Sequence, residues 1–264
     1  MILNSKSKPI GIFDSGVGGL TVVREIMTTL PHQPLVYFGD CFRAPYGDRN
    51  DEELMEFSRR IVRFLLSKDV GAVVVACGTI SARIFEQVRA FVPPNIPVYG
   101  MLAAGVQAVV ETSKNGKIGV IATEGTVNSG TFEHSIVAAR PDATVKSVAC
   151  PLFVPLVEEG WVDNEVADLT AQIYMRELED SGIDALLLGC THYPLLSPSI
   201  AKALPQGVTL VNPAGYVAQA LQRDGFGAED GDGSYDFYVS GKKERFDKIA
   251  KIILPVFDKG SILV

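Results

Sequence analysis

Two apolar runs in this chain end on a cysteine in the same way: GAVVVACGT over residues 71–79 and DALLLGCTH over 184–192. The likeness extends to IGIFDSGVGGL at 10–20 and IGVIATEGTVNS at 118–129, so the halves superpose at an offset of roughly 110 residues, self-similarity that constrains the fold more than composition does. Each half has to form the same kind of unit. Within each, short β-rich runs alternate with amphipathic stretches, the order expected of parallel α/β layers. In the first half the runs are KPIGIFD, PLVYFGD, GAVVVAC and IPVYG, with helices expected in GGLTVVREIMTTL, DEELMEFSRRIVRFLLSKD and SARIFEQVRAFV. In the second they are KIGVIAT, ATVKSVA, DALLLGC and VTLVN, with helices near NSGTFEHSIVAA, DNEVADLTAQIYMRELEDSG and SPSIAKAL. The expected architecture is two pseudo-symmetric α/β domains with mainly parallel sheets and an active site in the cleft between them. A length of 264 residues suits two such domains.

Composition removes several classes of function. A 47% hydrophobic, 21% charged chain is globular rather than disordered or fibrous. Its formal charge of -7 argues against a nucleic-acid or anionic-membrane surface, which clustered Lys and Arg would serve. No apolar run reaches the ~18 residues of a spanning helix, and MILNSKSKPI lacks the apolar core of a secretion signal, so a cytoplasmic protein is expected. Cys41, Cys77, Cys150 and Cys190 are widely spaced, without a C-x-x-C pair, and read as reduced thiols.

Cys77 and Cys190 end equivalent apolar runs, and in parallel α/β sheets the carboxyl ends of strands collect ligands and catalysis. A lone cysteine is ordinarily a small buried hydrophobe, the reading that Cys41 and Cys150 keep; repetition at the symmetry-related position sets the other two apart. Across a pseudo-twofold axis, both thiols would enter one cleft from opposite sides. Two proton-transfer groups flanking one carbon are the minimal apparatus of a racemase, which takes a proton from one face and returns one to the other. A thiol titrating near 8.5 can serve once a helix N-terminus or a basic neighbour raises its thiolate fraction.

GIFDSGVGGLTV, APYG, VVACGT, CPLFVPLVEEGW and LGCTHYPLL, in that order over nearly the whole chain, resemble the glutamate racemases. The resemblance implies a cofactor-independent isomerase that supplies D-glutamate for peptidoglycan, with neither pyridoxal phosphate nor metal. It also implies two α/β domains, the second inserted in the first, here 98–211 within 1–97 and 212–264. Cys77 and Cys190 correspond to the opposed acid and base. Asp14 matches an aspartate that positions or deprotonates the nearby thiol, although an aspartate there also reads as a helix cap. His192 matches the histidine serving the second thiol, a task that suits an imidazole. Glu158 matches a carboxylate assisting on the second face, with Glu159 as its decoy. Ser15, Pro45, Tyr46, Gly47, Thr79, Thr123, Thr126 and Thr191 match substrate-contacting positions. Each taken alone also reads as a turn, strand or cap residue. SGVGG fits neither phosphate-loop pattern, but its N–H groups and the following helix can receive a carboxylate. The implied partner is small-molecule glutamate, and a homodimer is compatible.

The main departure is Gly78, where the family generally has asparagine: the missing amide removes a donor and an acceptor beside the reacting carbon. Two alternatives therefore stand beside glutamate racemisation. One is racemisation of another acidic amino acid such as aspartate, admitted because Gly78 enlarges the pocket. The other is a binding or regulatory protein that has lost most catalysis. LVNPAGYVAQAL also departs from the expected turn, at a place remote in sequence from the cysteines. DGFGAEDGDGSYDF reads as an exposed acidic loop, and the spacing around Asp230 and Asp232 fails a calcium loop.

Overall fold

The computed structural model describes residues 6–227 and 231–264. Met1 to Ser5 of the opening stretch and Ala228 to Asp230 of the acidic loop lie outside the described residues.

The strands are β1 (Ile10–Asp14), β2 (Leu35–Gly39), β3 (Ala72–Val75), β4 (Val98–Gly100), β5 (Lys117–Ala122), β6 (Thr144–Ala149), β7 (Ala185–Leu188), β8 (Thr209–Val211), β9 (Tyr235–Val239) and β10 (Ile262–Leu263). The helices are α1 (Leu20–Thr29), α2 (Asp51–Ser67), α3 (Gly78–Arg83), α4 (Phe85–Arg89), α5 (Met101–Thr112) and α6 (Glu124–Asn128). They continue with α7 (Thr131–Ala139), α8 (Phe153–Glu158), α9 (Glu165–Met175), α10 (Ser197–Ala203), α11 (Ala214–Arg223) and α12 (Lys243–Ile253).

Two all-parallel sheets form, in the orders β10-β9-β2-β1-β3-β4 and β6-β5-β7-β8. The inner order β2-β1-β3-β4 repeats as β6-β5-β7-β8, which is the internal duplication seen as topology. Ile10 pairs with Leu35 and Ala72, and in the other sheet Ile118 pairs with Val145 and Ala185. Cys77 and Cys190 each follow their strand, β3 or β7, at the second residue.

Both faces of each sheet are covered, which is why the strands read as continuous apolar runs rather than alternating ones. Ile10, Ile12 and Val74 pack into one core of the larger sheet, while Phe13, Val73 and Val75 enter another on its opposite face. In the smaller sheet Leu186 and Leu188 face one cluster, Ala185 and Leu187 the other. The expected α/β class and parallel sheets are therefore observed.

Several local expectations change. The run IPVYG, read with the first half although the implied boundary falls at 97/98, contributes β4 to the larger sheet, where Val98 pairs with Val73. The helix expected through SARIFEQVRAFV begins earlier, at Gly78, and breaks at Ile84, whose φ of -136° leaves the helical region while its side chain stays buried. NSGTFEHSIVAA carries α7 and only the last residue of α6, Asn128, and Gly130, with a left-handed φ of 65°, separates the two helices. Within the acidic loop Phe226 is buried, and Asp232 accepts the N–H of Ser234 in a local turn.

Candidate active site

The carboxyl ends of β1, β3, β5 and β7 converge where the two sheets meet. Asp14 closes β1 and is fully buried. Its Oδ2 accepts the Gly19 N–H at 2.8 Å and the Thr191 hydroxyl at 3.3 Å, while Oδ1 is buried and has no well-formed hydrogen bond among the described residues. A carboxylate oxygen in that state is ready to accept an incoming donor. Burial raises the Asp14 carboxyl above its ordinary value, and the nearby His192 only partly opposes this.

Cys77 is the N-cap residue of α3 and is buried. Burial pushes its thiol well up, the charge of Asp14 adds to the rise, and the backbone N–H groups of Ile80 and Thr79 pull the other way. The thiol form therefore dominates while Asp14 is ionised, and a proton taken by Asp14 relieves the repulsion. The pair is electrostatically linked, as expected of an acid–base neighbour.

Cys190 sits in different surroundings. Its sulfur lies 3.7 Å from Nδ1 of His192, whose Nε2 is 3.0 Å from Oε1 of Glu158. Burial lowers the imidazole's proton affinity, but its hydrogen bonds to Cys190 and Glu158 outweigh that and raise it well above the ordinary histidine value. Burial raises the Glu158 carboxyl, and the His192 hydrogen bond and charge carry it below the ordinary value instead. The chain Glu158–His192–Cys190 is thus arranged as carboxylate, imidazolium and sulfur. Glu159 points elsewhere: its carboxylate is 2.9 Å from Nη2 of Arg245 at the surface. Arg245 also donates through Nε to the Glu158 carbonyl at 2.6 Å, which fixes the end of α8.

The threonines divide into two groups. The Thr79 and Thr123 hydroxyls lie 3.1 Å apart across the two halves, and Thr126 is 3.0 Å from Thr123. Thr191 joins Asp14 on the other side, and its carbonyl accepts the Thr21 hydroxyl at 3.0 Å. Ser15 is buried beside Asp14. In the APYG turn Pro45 is exposed, whereas the buried Tyr46 hydroxyl donates to Asp40 Oδ2 at 2.5 Å. Gly47 approaches Thr123. The Tyr46 side chain therefore anchors the turn and leaves contact with a ligand to the turn's backbone.

Asp40 was not singled out by the sequence reading. Fully buried after β2, it also accepts from Arg43 at 2.8 Å and from Ser240 at 2.6 Å, so it ties the turn to the loop after β9. Its sequence cue is that PLVYFGD ends on a carboxylate just as GIFD does. Asn212 and Pro213, in the segment remote in sequence, line a cavity of about 10 Å³ together with Gly78 and Cys190. That is room for about one water molecule.

Gly78 does not enlarge this space. A Cβ at that position would lie 2.2 Å from the Gly189 carbonyl oxygen, so opposing backbone occupies the room that a side chain would take. The basis for expecting a pocket widened toward a different amino acid is removed. A larger polar cavity of about 710 Å³ lies at the mouth of the cleft, lined by Gly47, Arg49, Arg83, Glu124, Gly125 and Asn128 among others. No helix of the described residues is long and apolar enough to cross a membrane.

Paired strand-end cysteines between two duplicated parallel sheets define a racemase-like α/β architecture, and comparison with known proteins agrees. Residues 20–221 match the model of the Asp/Glu/hydantoin racemase family, and the chain belongs to that family. It is an amino-acid racemase, an isomerase. The chain is 41% identical over 252 residues to a glutamate racemase of Geobacter metallireducens, covering 94% of this chain and 93% of that protein. It is 43% identical over 254 residues to a glutamate racemase of Neisseria meningitidis serogroup C, with the same coverage of 94% and 93%. The crystal structure of glutamate racemase from Francisella tularensis in complex with D-glutamate superposes with a TM-score of 0.90 at 35% identity, covering 98% of each chain.

Proposed function

We propose that this protein interconverts L- and D-glutamate without a cofactor, by two-base proton transfer at the α-carbon between Cys77 and Cys190, and so supplies D-glutamate for peptidoglycan. The observation that carries the reading is the pair of cysteines at equivalent strand ends: Cys190 contacts His192, which Glu158 backs, and the charge of Asp14 acts on Cys77. The relatives named glutamate racemase support glutamate as the substrate.

On this reading one thiolate removes the α-proton, and the C–H electron pair remains on carbon, delocalised toward the α-carboxylate. The opposite thiol then delivers its proton to the other face, leaving carbon inverted and the two sulfurs with exchanged protonation. For the enantiomer the roles reverse. The imidazolium of His192 stabilises a thiolate at Cys190, and Asp14 exchanges a proton with Cys77. The Asp14 Oδ1 suits the substrate ammonium. The Thr79, Thr123 and Thr126 hydroxyls and the helix-start N–H groups beside them offer donors for carboxylates, which matter most as negative charge builds in the transition state. We also take the two sheets as two domains, the second inserted in the first.

The test is deuterium incorporation at the α-carbon in heavy water. The parent is expected to place deuterium in the inverted product from either enantiomer. Cys77→Ser and Cys190→Ser are each expected to lose inversion, because a hydroxyl is too weak an acid to replace the thiol. Inversion of glutamate by both variants at the parent's rate removes the two-thiol mechanism. Tight glutamate binding by the parent with no α-proton exchange favours a binding protein instead.

A further inference from the structure

Glycine at position 78 answers a demand for space, since its φ lies outside the left-handed region. The Cβ that any other residue would carry falls 2.2 Å from the Gly189 oxygen, 3.3 Å from the Gly189 carbonyl carbon and 3.7 Å from the Cys190 Cα. All three atoms are backbone, so no rotamer change relieves the overlap. Neither partner is free to retreat. Gly189 donates to the Ile121 carbonyl at 2.8 Å, and a Cβ there would itself lie 2.9 Å from that oxygen. On the other side α3 is held by Ser81, whose N–H bonds the Cys77 carbonyl at 3.0 Å. The Ser81 hydroxyl donates to Val75 at 3.1 Å and accepts from Met101 N–H at 3.0 Å.

We propose that Gly78 is a positioning residue that sets the separation of the two reacting thiols, by letting the loop that carries Cys77 seat directly on the backbone that carries Cys190. The inference rests on the two-thiol reading above. Cys77 and Gly78 are consecutive, as are Gly189 and Cys190, so the seat fixes one cysteine relative to the other through a single backbone contact. A second approach of the same kind closes the mouth of the cleft: a Cβ at Gly125 would lie 2.4 Å from the Gly47 oxygen. A chain with asparagine at position 78 has to hold the two loops farther apart. Here the absent side chain is exchanged for closer approach.

The substitution Gly78→Ala supplies the test. To reach the ordinary contact distance of 3.4 Å or more, the loops must part by roughly 1 Å, a displacement that costs on the order of 10²-fold in a proton-transfer geometry. The expected result in heavy water is a fall in inversion of that size with a smaller fall in deuterium entry into the unreacted enantiomer. One thiol then still removes the proton while the other no longer reaches the opposite face, and the ratio of exchange to inversion rises. Partial unfolding lowers both rates together and leaves the ratio unmoved. Gly78→Asn is expected to follow Gly78→Ala. Should Gly78→Ala fail to fold, Gly125→Ala parts the same cleft and is read in the same way.

A folded Gly78→Ala protein whose exchange-to-inversion ratio stays within about threefold of the parent's overturns the proposal. So does a Gly78→Asn protein that inverts glutamate faster than the parent, because the amide and not the absent side chain would then be what matters. If the parent itself shows no α-proton exchange, the functional reading fails. The positioning claim is then judged by crystal structures of parent and Gly78→Ala, in which an unchanged Cys77–Cys190 sulfur separation refutes it.

Discussion

Replacing Glu158 by glutamine keeps the shape of the side chain and its reach to His192 but removes the negative charge. In the parent, Oε1 lies 3.0 Å from Nε2 of an imidazole that is only 3% exposed, with the carboxylate side chain 18% exposed, so solvent screens the pair little. A hydrogen bond to a charged group in such a place contributes about 1.5–3 kcal/mol. His192 stands raised because its bonds to Cys190 and Glu158 outweigh burial, so loss of the Glu158 charge moves it down toward the ordinary histidine range. The imidazolium beside Cys190 is then lost at lower pH. The expected consequence is a fall of ~10–100-fold in kcat/KM at neutral pH, with the alkaline limb of the pH profile displaced downward as His192 loses the Glu158 charge. Enantiomers have equal free energy, so kcat/KM must fall by the same factor in both directions, whichever thiol begins the reaction. The assay is initial-rate racemisation from each enantiomer, followed by circular dichroism between pH 6 and 10. An unshifted alkaline limb with kcat/KM within about threefold of the parent would refute the argument that the carboxylate sustains the histidine charge.

Two further substitutions probe other parts of the site. Burial holds the Asp14 carboxyl above its usual range, so the favourable contribution of its protonated form is complete below the unfolded value of 3.8 and is lost as pH rises through the folded value. Asp14→Asn keeps an acceptor for Gly19 and is expected to raise the thermal midpoint at pH 7, with the gain vanishing toward pH 4, while racemisation falls ~10²-fold or more. A lower midpoint at pH 7, measured by calorimetry, contradicts this. Tyr46→Phe removes the donor that binds Asp40 at 2.5 Å. Loss of about 1.5–3 kcal/mol should lower the midpoint by roughly 3–12 °C, and a loosened turn should raise KM more than it lowers kcat. Unchanged KM in steady-state kinetics counts against the anchoring role.

Much of the site follows from patterns local in sequence. Each Cys follows an apolar run that can only be a buried parallel strand, and the duplicated run brings Cys77 and Cys190 to equivalent strand ends. Asp14 at the end of GIFD and His192 beside Cys190 stand at such strand ends, whereas Glu158 was legible only through the resemblance of CPLFVPLVEEGW to the family. Asp40 escaped because its partners Arg43, Tyr46 and Ser240 belong to turns whose closeness depends on how β2 and β9 pair. The choice between Glu158 and Glu159 became geometric once α8 was placed: one carboxylate turns inward to His192 and the other outward to Arg245.

The sequence by itself determined the duplicated parallel α/β plan and the pairing of two thiols, because strand burial and the internal repeat are written in the order of apolar residues along the chain. Only the tertiary structure decided what Gly78 does. In the sequence it is a missing amide and an enlarged pocket; in the fold its place is filled by the carbonyl of Gly189, more than a hundred residues away. Steric contact between such distant segments depends on how two sheets are set against each other, and no periodicity in either segment records that distance.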